Sequence, residues 1–115
     1  MSIRRGDPFW VDLSPAKDSK RAGRRPAVVI QNDVGNAMAA TVIVAPLTTK
    51  RFTKDYPFNV SVPRGVAGLR EPSTMLFSQI RTIDKSCLEG RIGRLPPAYL
   101  QQANRAIAIS LGLIA

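Results

Sequence analysis

Two adjacent arginines stand at the entrance of an apolar segment. Arg24 and Arg25 follow Gly23 and precede Pro26, and the next four residues, 27–30, are all apolar. Pro26 fixes its own φ and biases Arg25 toward an extended backbone, which favours the start of a strand. A guanidinium held there can bind two phosphoryl oxygens at once, because its planar fork suits bidentate contact. The pattern therefore predicts a phosphate-binding position at Arg25.

The cations of this chain are concentrated in two segments, and its formal net charge is +9. One segment contains Lys17, Lys20, Arg21, Arg24 and Arg25, and the other contains Lys50, Arg51 and Lys54. A basic domain of this kind most often binds a polyanion, and nucleic acid is the leading candidate. Because RNA is read mainly as unstacked single strands, we expect the two basic loops to flank a groove open at one end.

Residue types that the chain lacks narrow its chemistry. It has no histidine and one cysteine, Cys87, which leaves no zinc site of standard spacing and no disulfide within the chain. Nucleophile systems built on Ser-His-Asp or Cys-His are excluded for the same reason. The eight Asp and Glu residues are scattered and form no cluster typical of a two-metal nuclease. We expect no metal and no cofactor, so catalysis would use Arg, Lys, Ser, Thr, Tyr or isolated carboxylates.

The hydrophobic pattern predicts one domain over residues 1–115, of α+β class and mainly β. About six or seven short strands are predicted, at 8–13, 26–31, 41–47, 58–62, 75–83 (one or two strands) and 88–95. Pro46 suggests an edge position or a bulge in its strand, and residues 32–40 are expected to turn. A C-terminal helix after Pro96 and Pro97 is predicted from apolar residues at helical spacing, Leu100, Ala103, Ile107 and Leu111. These elements together suggest a small, strongly bent barrel.

The chain shows no sign of a membrane association. No apolar run approaches the roughly 18 residues that a membrane span needs. The first seven residues contain no apolar segment typical of a signal peptide. The sequence therefore predicts a cytoplasmic protein.

Three aromatic side chains, Trp10, Phe52 and Tyr56, could stack on nucleic-acid bases. Trp10 is instead expected in the core or at a dimer interface, because it lies in the first predicted strand. Gln79 and Arg81 alternate in sequence and are expected on one face of a single strand.

Several short motifs occur in an order that resembles a known family. They are Arg5-Gly6-Asp7, Asp12-Leu13-Ser14-Pro15, Gly23-Arg24-Arg25-Pro26, Val29-Ile30-Gln31-Asn32-Asp33, Gly35-Asn36, Ala45-Pro46-Leu47-Thr48, Gln79-Ile80-Arg81-Thr82-Ile83-Asp84-Lys85 and Ile109-Ser110-Leu111. No single motif is specific, but their order and spacing are, and they span nearly the whole chain. The sequence resembles the MazF/PemK/Kid toxins, the endoribonucleases of bacterial type II toxin–antitoxin systems.

The resemblance implies an SH3-like barrel that forms a homodimer. It also implies sequence-specific, metal-independent cleavage of single-stranded mRNA, with 2′,3′-cyclic phosphate and 5′-hydroxyl ends as products. The catalytic positions of the family fall on Arg25 and Thr48. The positions expected to line the RNA site fall on Ser19, Gln79 and Arg81.

Three neighbours of the catalytic pair are predicted to contact RNA as well: Arg24, Thr49 and Lys50. The expected protein partner is an acidic, partly disordered antitoxin of the MazE-like type, because such a segment can occupy a basic groove by charge and by apolar anchors.

Two other functions fit a small basic barrel. A CcdB-like gyrase poison has a similar fold, but its function rests on a C-terminal Trp-Gly-Ile, whereas this chain ends Gly112-Leu113-Ile114-Ala115 and has tryptophan only at position 10. A nucleic-acid-binding barrel without catalysis would share the composition. The Arg25 and Thr48 pair favours the nuclease.

Overall fold

The computed structural model describes residues 2–13 and 23–115. Within these ranges there are seven strands: β1 (Pro8–Asp12), β2 (Arg24–Val29), β3 (Thr41–Thr48), β4 (Asn59–Val62), β5 (Ser73–Leu76), β6 (Arg81–Asp84) and β7 (Leu88–Arg91). Two α-helices follow β2 and β7, α1 (Asp33–Met38) and α2 (Pro97–Ser110). Single 3₁₀ turns lie at Val66–Gly68, Phe77–Gln79 and Lys85–Cys87. The predicted α+β, mainly β class and the C-terminal helix are confirmed.

The strands form one antiparallel sheet in the order β4-β5-β3-β2-β1-β7, and β6 pairs with β3 beside this path. Within the described residues β4 and β7 are the two ends of the path, so the sheet is bent but does not close into a complete barrel. Strand β3 is central, because it pairs with β2, with β6 through Thr41–Val44, and with β5 through Leu47 and Thr48.

Pro46 does not mark an edge strand, so that part of the sequence prediction is wrong. Pro46 lies opposite Ala27 in the central strand β3. The N–H of Ile30 donates to the carbonyl of Ile43 at 3.0 Å, so by the alternation of an antiparallel ladder the 27/46 pair is one without mutual hydrogen bonds. The nitrogen of Pro46 then points away from β2, toward the stretch where β3 changes partner from β6 to β5. A missing N–H is tolerated there because no ladder bond requires it.

The sheet packs a core on each face. The helix-side core includes Val28, Ala45, Leu47, Met75 and Phe77, and α2 covers it through Ala103 and Ala106. The strand-side core consists of Phe9, Val11, Ala27, Val29, Val42, Val44, Ile83 and Leu88. Alternation along β2 and β3 assigns neighbouring residues to opposite cores, which is the period-two signature of a strand buried on both faces.

Helix α2 begins and ends near the residues that the sequence indicated. Pro96 precedes its first turn and Pro97 is its first residue, where a missing N–H has no intrahelical partner to lose. The chain leaves the helix at Gly112, whose φ of +75° suits glycine. The hydroxyl of Ser110 donates to the carbonyl of Phe77 at 2.7 Å and ties the helix end to the sheet. No helix in the described ranges is both long enough and apolar enough to cross a membrane.

Residues 32–40 contain the short helix α1 rather than only a turn. The side chain of Asn32 caps it by accepting from the N–H of Gly35 at 2.8 Å. Asp33 begins the helix and accepts from the N–H of Arg5 at 2.7 Å and from the amide of Asn36 at 3.1 Å. These hydrogen bonds, that of Arg5 first, hold the pKa of Asp33 below its ordinary 3.8. Asp33 thus links the N-terminal segment to α1.

Asp33→Asn should make stability less dependent on pH. Because the pKa of Asp33 is lowered by folding, its ionised form stabilises the protein above 3.8, and this contribution is lost as pH falls through the folded value. The variant should therefore unfold at a lower temperature than the wild type at neutral pH, and the gap should narrow below 3.8. Thermal unfolding midpoints from neutral pH down to about 2.5 measure this. Asp55→Asn, at an exposed carboxylate, is the matched control; a gap that stays constant with pH would contradict the assignment.

Candidate nucleic-acid interface

The strand pairing directs Arg25 and Thr48 to one place. The β2–β3 register pairs Val29 with Val44, Val28 with Ala45 and Ala27 with Pro46, and there it ends. Continued by two residues, the same register sets Arg25 opposite Thr48. In a ladder continued that far, this would again be a pair without mutual hydrogen bonds, which is the more closely spaced kind in an antiparallel sheet. The β2–β3 pairing ends before these two residues, but each stays in the sheet through its other neighbour, with Arg25 opposite Val11 of β1 and Thr48 opposite Thr74 of β5.

Arg25 and Thr48 share the face of the strand-side core. Arg25 lies opposite the buried Val11 in the β1–β2 pairing. Thr48 is four residues beyond Val44 on β3, so period two keeps it on the same face. Arg25 is exposed and Thr48 is half-buried, which places both at the rim of that core rather than inside it.

The hydroxyl of Thr48 has a defined orientation. Its Oγ1 accepts a hydrogen bond from the backbone N–H of Lys50 at 3.1 Å. With an acceptor position already used, the hydroxyl hydrogen is free to be donated away from the backbone. Thr74 lies opposite Thr48 and Ser61 lies opposite Thr74, so three hydroxyl side chains form a row across β3, β5 and β4. This row can donate several hydrogen bonds to an anion.

Arg24 and Arg25 differ in how they are held. Nε of Arg24 donates to Oε1 of Glu89 at 2.6 Å, and its guanidinium carbon lies 4.4 Å from the ring centroid of Trp10. The side chain of Arg25 forms no hydrogen bond or ion pair with the part of the chain that the structure describes. Neighbours on a strand point to opposite faces, so one arginine is engaged on one face while the other leaves its charge available on the other.

Two cavities meet at the end of β3. The loop cavity, of about 480 Å³, is lined by Lys50, Arg51 and Phe52 together with Ser61 and Thr74. The tryptophan cavity, of about 570 Å³, is lined by Trp10, Arg24, Pro26, Arg70 and Arg91. Thr49, Glu71 and Ser73 line both. The predicted RNA contacts Thr49, Lys50 and Arg24 therefore belong to one connected surface.

Gln79 and Arg81 do not alternate on one strand, so that expectation is wrong. Gln79 ends the 3₁₀ turn Phe77–Gln79, whereas Arg81 begins β6 opposite Val44. Both are exposed. Arg81 is opposite a residue four positions from Thr48, or about 13 Å along the strand at roughly 3.3 Å per residue. Arg81 is thus too far to share a phosphate with Thr48 but close enough to contact another part of a bound strand.

The remaining predicted RNA contact, Ser19, lies outside the described residues, as do Lys17, Lys20 and Arg21 of the first basic segment. Of that segment the structure describes Arg24 and Arg25. Between Leu13 and Gly23 a backbone hydrogen bond of 2.7 Å joins the two strands that the segment connects. Leu13 and Gly23 are therefore held together at the start of β2, beside Arg24.

Trp10 is not a core residue, contrary to the first of its two expected environments. Its side chain is 38% exposed, whereas its neighbours Phe9 and Val11 are fully buried in the strand-side core. Alternation explains the difference, because Trp10 points to the opposite face from both. The sequence contained this signal: residues 9 and 11 are apolar, and a period of two cannot bury residue 10 in the same core.

Several residues of the tryptophan cavity were not singled out by the sequence. Arg70, Glu71 and Arg91 line the cavity and come from segments far from Arg24 in the chain, as does Glu89, which does not line the cavity but pairs with Arg24. The β1–β7 pairing and the loop before β5 bring these segments to Trp10. Within residues 2–13 and 23–115, no three Asp, Glu, Cys or His side chains gather as a metal site.

The sequence matches a family model described as PemK-like, MazF-like toxin of type II toxin–antitoxin systems, over residues 4–111. A protein named Endoribonuclease MazF from Staphylococcus saprophyticus is 41% identical over 111 residues, which is 96% of this chain and 92% of that protein. Endoribonuclease EndoA of Bacillus subtilis is 40% identical over 114 residues, or 99% of this chain and 98% of that protein. The fold and the sequence thus define a toxin of a toxin–antitoxin system. The chain belongs to the PemK/MazF family.

Solved structures show the same fold. A mycobacterial endoribonuclease in complex with its cognate antitoxin superposes with a TM-score of 0.81 at 25% identity, covering 98% of both chains. MazF of Deinococcus radiodurans superposes with a TM-score of 0.78 at 24% identity, covering 97% of this chain and 98% of that one. The bent antiparallel sheet with one long C-terminal helix is therefore the family fold.

Proposed function

We propose that this protein is an endoribonuclease toxin that cleaves single-stranded RNA at short recognition sequences and is neutralised by a cognate antitoxin. The observation that carries the proposal is the placement of Arg25, exposed and without a partner among the described residues, on the same rim as the Thr48 hydroxyl. The names of the two relatives at about 40% identity support the activity, because both are called endoribonucleases.

The reaction is a transesterification within the RNA. The 2′-oxygen attacks the adjacent phosphorus and forms a P–O2′ bond, the P–O5′ bond breaks, and the products are a 2′,3′-cyclic phosphate and a 5′-hydroxyl. No electrons are exchanged with a cofactor and no metal takes part. The protein must hold the phosphate, compensate the charge that develops on its oxygens and allow two proton transfers.

Arg25 and Thr48 suit the phosphate. The Arg25 guanidinium can donate two parallel hydrogen bonds to the non-bridging oxygens, and it carries a full positive charge to the site. The Thr48 hydroxyl, oriented by the Lys50 N–H, donates to one of the same oxygens. Donors that are already in place when charge develops are commonly worth about 3 to 4 kcal/mol each.

The site is less well suited to proton transfer than to binding the phosphate. An arginine side chain stays protonated under physiological conditions, so it is poorly suited to take the proton of the 2′-hydroxyl. We assign that proton to solvent or to a phosphate oxygen, and water supplies the proton for the leaving 5′-oxygen. Arg25 then acts mainly by electrostatic stabilisation.

Residues other than Arg25 and Thr48 would position the RNA strand. Lys50 and Thr49 lie on the loop cavity next to Thr48. Gln79 ends a 3₁₀ turn, Arg81 lies on β6 beside β3, Ser19 belongs to the segment between β1 and β2, and Arg24 begins β2. We propose that all six contact the RNA, with Lys50 and Arg81 contributing charge and the others hydrogen bonds.

The protein partners follow from the same surface. The structure of the mycobacterial relative contains its cognate antitoxin, and an acidic antitoxin segment would complement the cations around the loop cavity. We also propose a homodimer. The exposed side chains of Leu111, Leu113 and Ile114 after α2 are apolar surface that a second copy can cover.

Arg25→Ala should abolish site-specific cleavage. Loss of the charge that stabilises the phosphate should lower kcat/KM by about 10² to 10³-fold, and Arg25→Lys should recover little because it lacks the planar fork. The assay is cleavage of a long single-stranded RNA with excess chelator, read by sequencing the new 5′ ends. Arg105→Ala, on the exposed side of α2, is the matched control and should cut like the wild type.

The same assay separates the rival functions. Intact RNA together with stalled gyrase would identify a gyrase poison, and RNA binding without any cut would identify a non-catalytic barrel. Cutting by the wild type that persists undiminished in Arg25→Ala would move the active site elsewhere.

Thr48→Val should lower kcat/KM about tenfold or more, since it removes the hydroxyl at nearly constant volume. Thr48→Ser keeps the donor and should stay within a fewfold of the wild type. Single-turnover cleavage of a short RNA substrate measures both. Because valine also removes the acceptor of the Lys50 N–H, the unfolding temperature of each variant should be measured beside the rate. Equal rates for valine and serine would remove Thr48 from the catalytic step.

The pH dependence of cleavage should show no group that titrates near neutrality. The chain contains no histidine, which is the side chain whose unperturbed pKa lies in this range. The logarithm of kcat/KM measured from about pH 5.5 to 9 should therefore show no bell-shaped dependence on pH. A clear maximum centred near pH 7 would contradict the electrostatic role and indicate a titrating acid–base pair.

A further inference from the structure

We propose that the tryptophan cavity is a second RNA subsite, which holds a nucleotide some distance from the scissile phosphate, with its base on Trp10 and its phosphate near Arg91. The inference rests on the proposed function, because it extends the path of the same RNA. It assigns a role to a surface on the opposite sheet face from Arg25 and Thr48.

Trp10 is held as a fixed stacking surface. The guanidinium of Arg24 lies 4.4 Å from the ring centroid, and Glu89 holds that guanidinium through the 2.6 Å contact with Nε. The ring is 38% exposed and lines a cavity of about 570 Å³, within the range of small-ligand sites. Aromatic and arginine planes next to each other are the features on which unpaired bases stack.

The cationic side of the cavity is also fixed. Arg91 lines the tryptophan cavity and a neighbouring cavity of about 270 Å³ that contains Arg4, Asp7 and Arg94. Asp7 is 1% exposed and forms ion pairs with Arg91 at 3.8 Å and Arg94 at 3.4 Å. One buried carboxylate thus positions two exposed arginines, and the positive charge there remains in excess. Such a site can hold a phosphate.

The two cavities are joined through Thr49, and residues that line them are neighbours in the chain of Arg25 and Thr48, which themselves line neither cavity. Thr49 follows Thr48 directly and lines both the loop cavity and the tryptophan cavity, and Arg24 precedes Arg25. An RNA strand bound at Thr48 can therefore pass over Thr49 toward Trp10 and on to Arg91. Since single-stranded RNA sites commonly span about 4 to 16 nucleotides, the length of this path is ordinary.

Glu71 makes RNA a better occupant than an acidic peptide. Glu71 is exposed and lines both cavities, and in the tryptophan cavity, away from Lys50 and Arg51 of the loop cavity, its carboxylate would repel peptide carboxylates. The exocyclic amines of cytosine and adenine can instead donate to such a carboxylate. The cavity therefore suits a base with an amine edge between Trp10 and Glu71.

Trp10 is the only tryptophan, so its fluorescence reports directly on the cavity. In Arg25→Ala, which should not cut, we expect quenching on titration with an RNA that extends beyond the cleavage site by roughly four to six nucleotides on each side. An RNA limited to the cleavage site should quench little. Equal signals from both RNAs, or none from the longer one, would overturn the subsite.

Kinetics give a second test. Trp10→Ala and Arg91→Ala should each lose about tenfold more kcat/KM on the long RNA than on the short one, mainly through KM. Trp10→Phe, which keeps an aromatic face, should recover most of the loss, and Arg91→Ala should also make binding of the long RNA less salt-dependent. Arg105→Ala is again the matched control.

The outcomes distinguish this inference from the proposed function. Equal losses on both RNAs would overturn the subsite while leaving the nuclease intact. Unchanged RNA kinetics with weaker inhibition by an acidic antitoxin would assign the cavity to the peptide and also overturn it. If the wild type cut neither RNA, the proposed function would fail, and the fluorescence titration would still decide whether RNA binds at Trp10.

Discussion

The whole arrangement depends on how β3 is paired. This strand has β2 on one edge and exchanges β6 for β5 on the other, with Pro46 at the change. The antiparallel register with β2 then determines that Arg25 shares the sheet face of Thr48, whereas Arg24 lies on the other face. A slip by one residue would turn Arg25 to the other face and set Arg24 opposite Thr48. The burial of apolar residues on both faces of β2 and β3 prevents that slip, because it would move every one of them out of its core.

At the end of a strand, consecutive residues direct their side chains to opposite faces of the sheet. Thr48 and Thr49 at the end of β3, like Arg24 and Arg25 at the start of β2, divide between the strand-side rim and the tryptophan cavity. The four residues are close in space because their strands are neighbours, yet their side chains need not compete for the same ligand group. The start of β2 and the end of β3 can thus present a catalytic site on one sheet face and a binding site on the other.

The strands and the C-terminal helix were predictable because their apolar residues repeat with periods of two and 3.6. Arg25 was predictable as a phosphate site because Pro26 and the apolar run place it at a strand start. The position of Pro46 in a central strand was not predictable, because a proline near a strand end is compatible both with an edge strand and with a change of pairing partner. The cluster of Trp10, Glu89 and Arg91 was not predictable either, because it arises from pairing between β1 and β7, which lie far apart in the chain.

Arg25 differs from the paired arginines Arg24, Arg91 and Arg94 in the charge that it can offer a ligand. A chain with a net charge of +9 has to limit repulsion among its cations, and it does so where the geometry is structural: Glu89 holds Arg24, and Asp7 holds Arg91 and Arg94. A guanidinium that is already paired loses that partner when phosphate arrives, so part of the gain is cancelled. Arg25 has no such partner among the described residues and can give its full charge to a ligand. The carboxylates thus compensate Arg24, Arg91 and Arg94 around the tryptophan cavity and its neighbour, and they leave Arg25 uncompensated among the described residues.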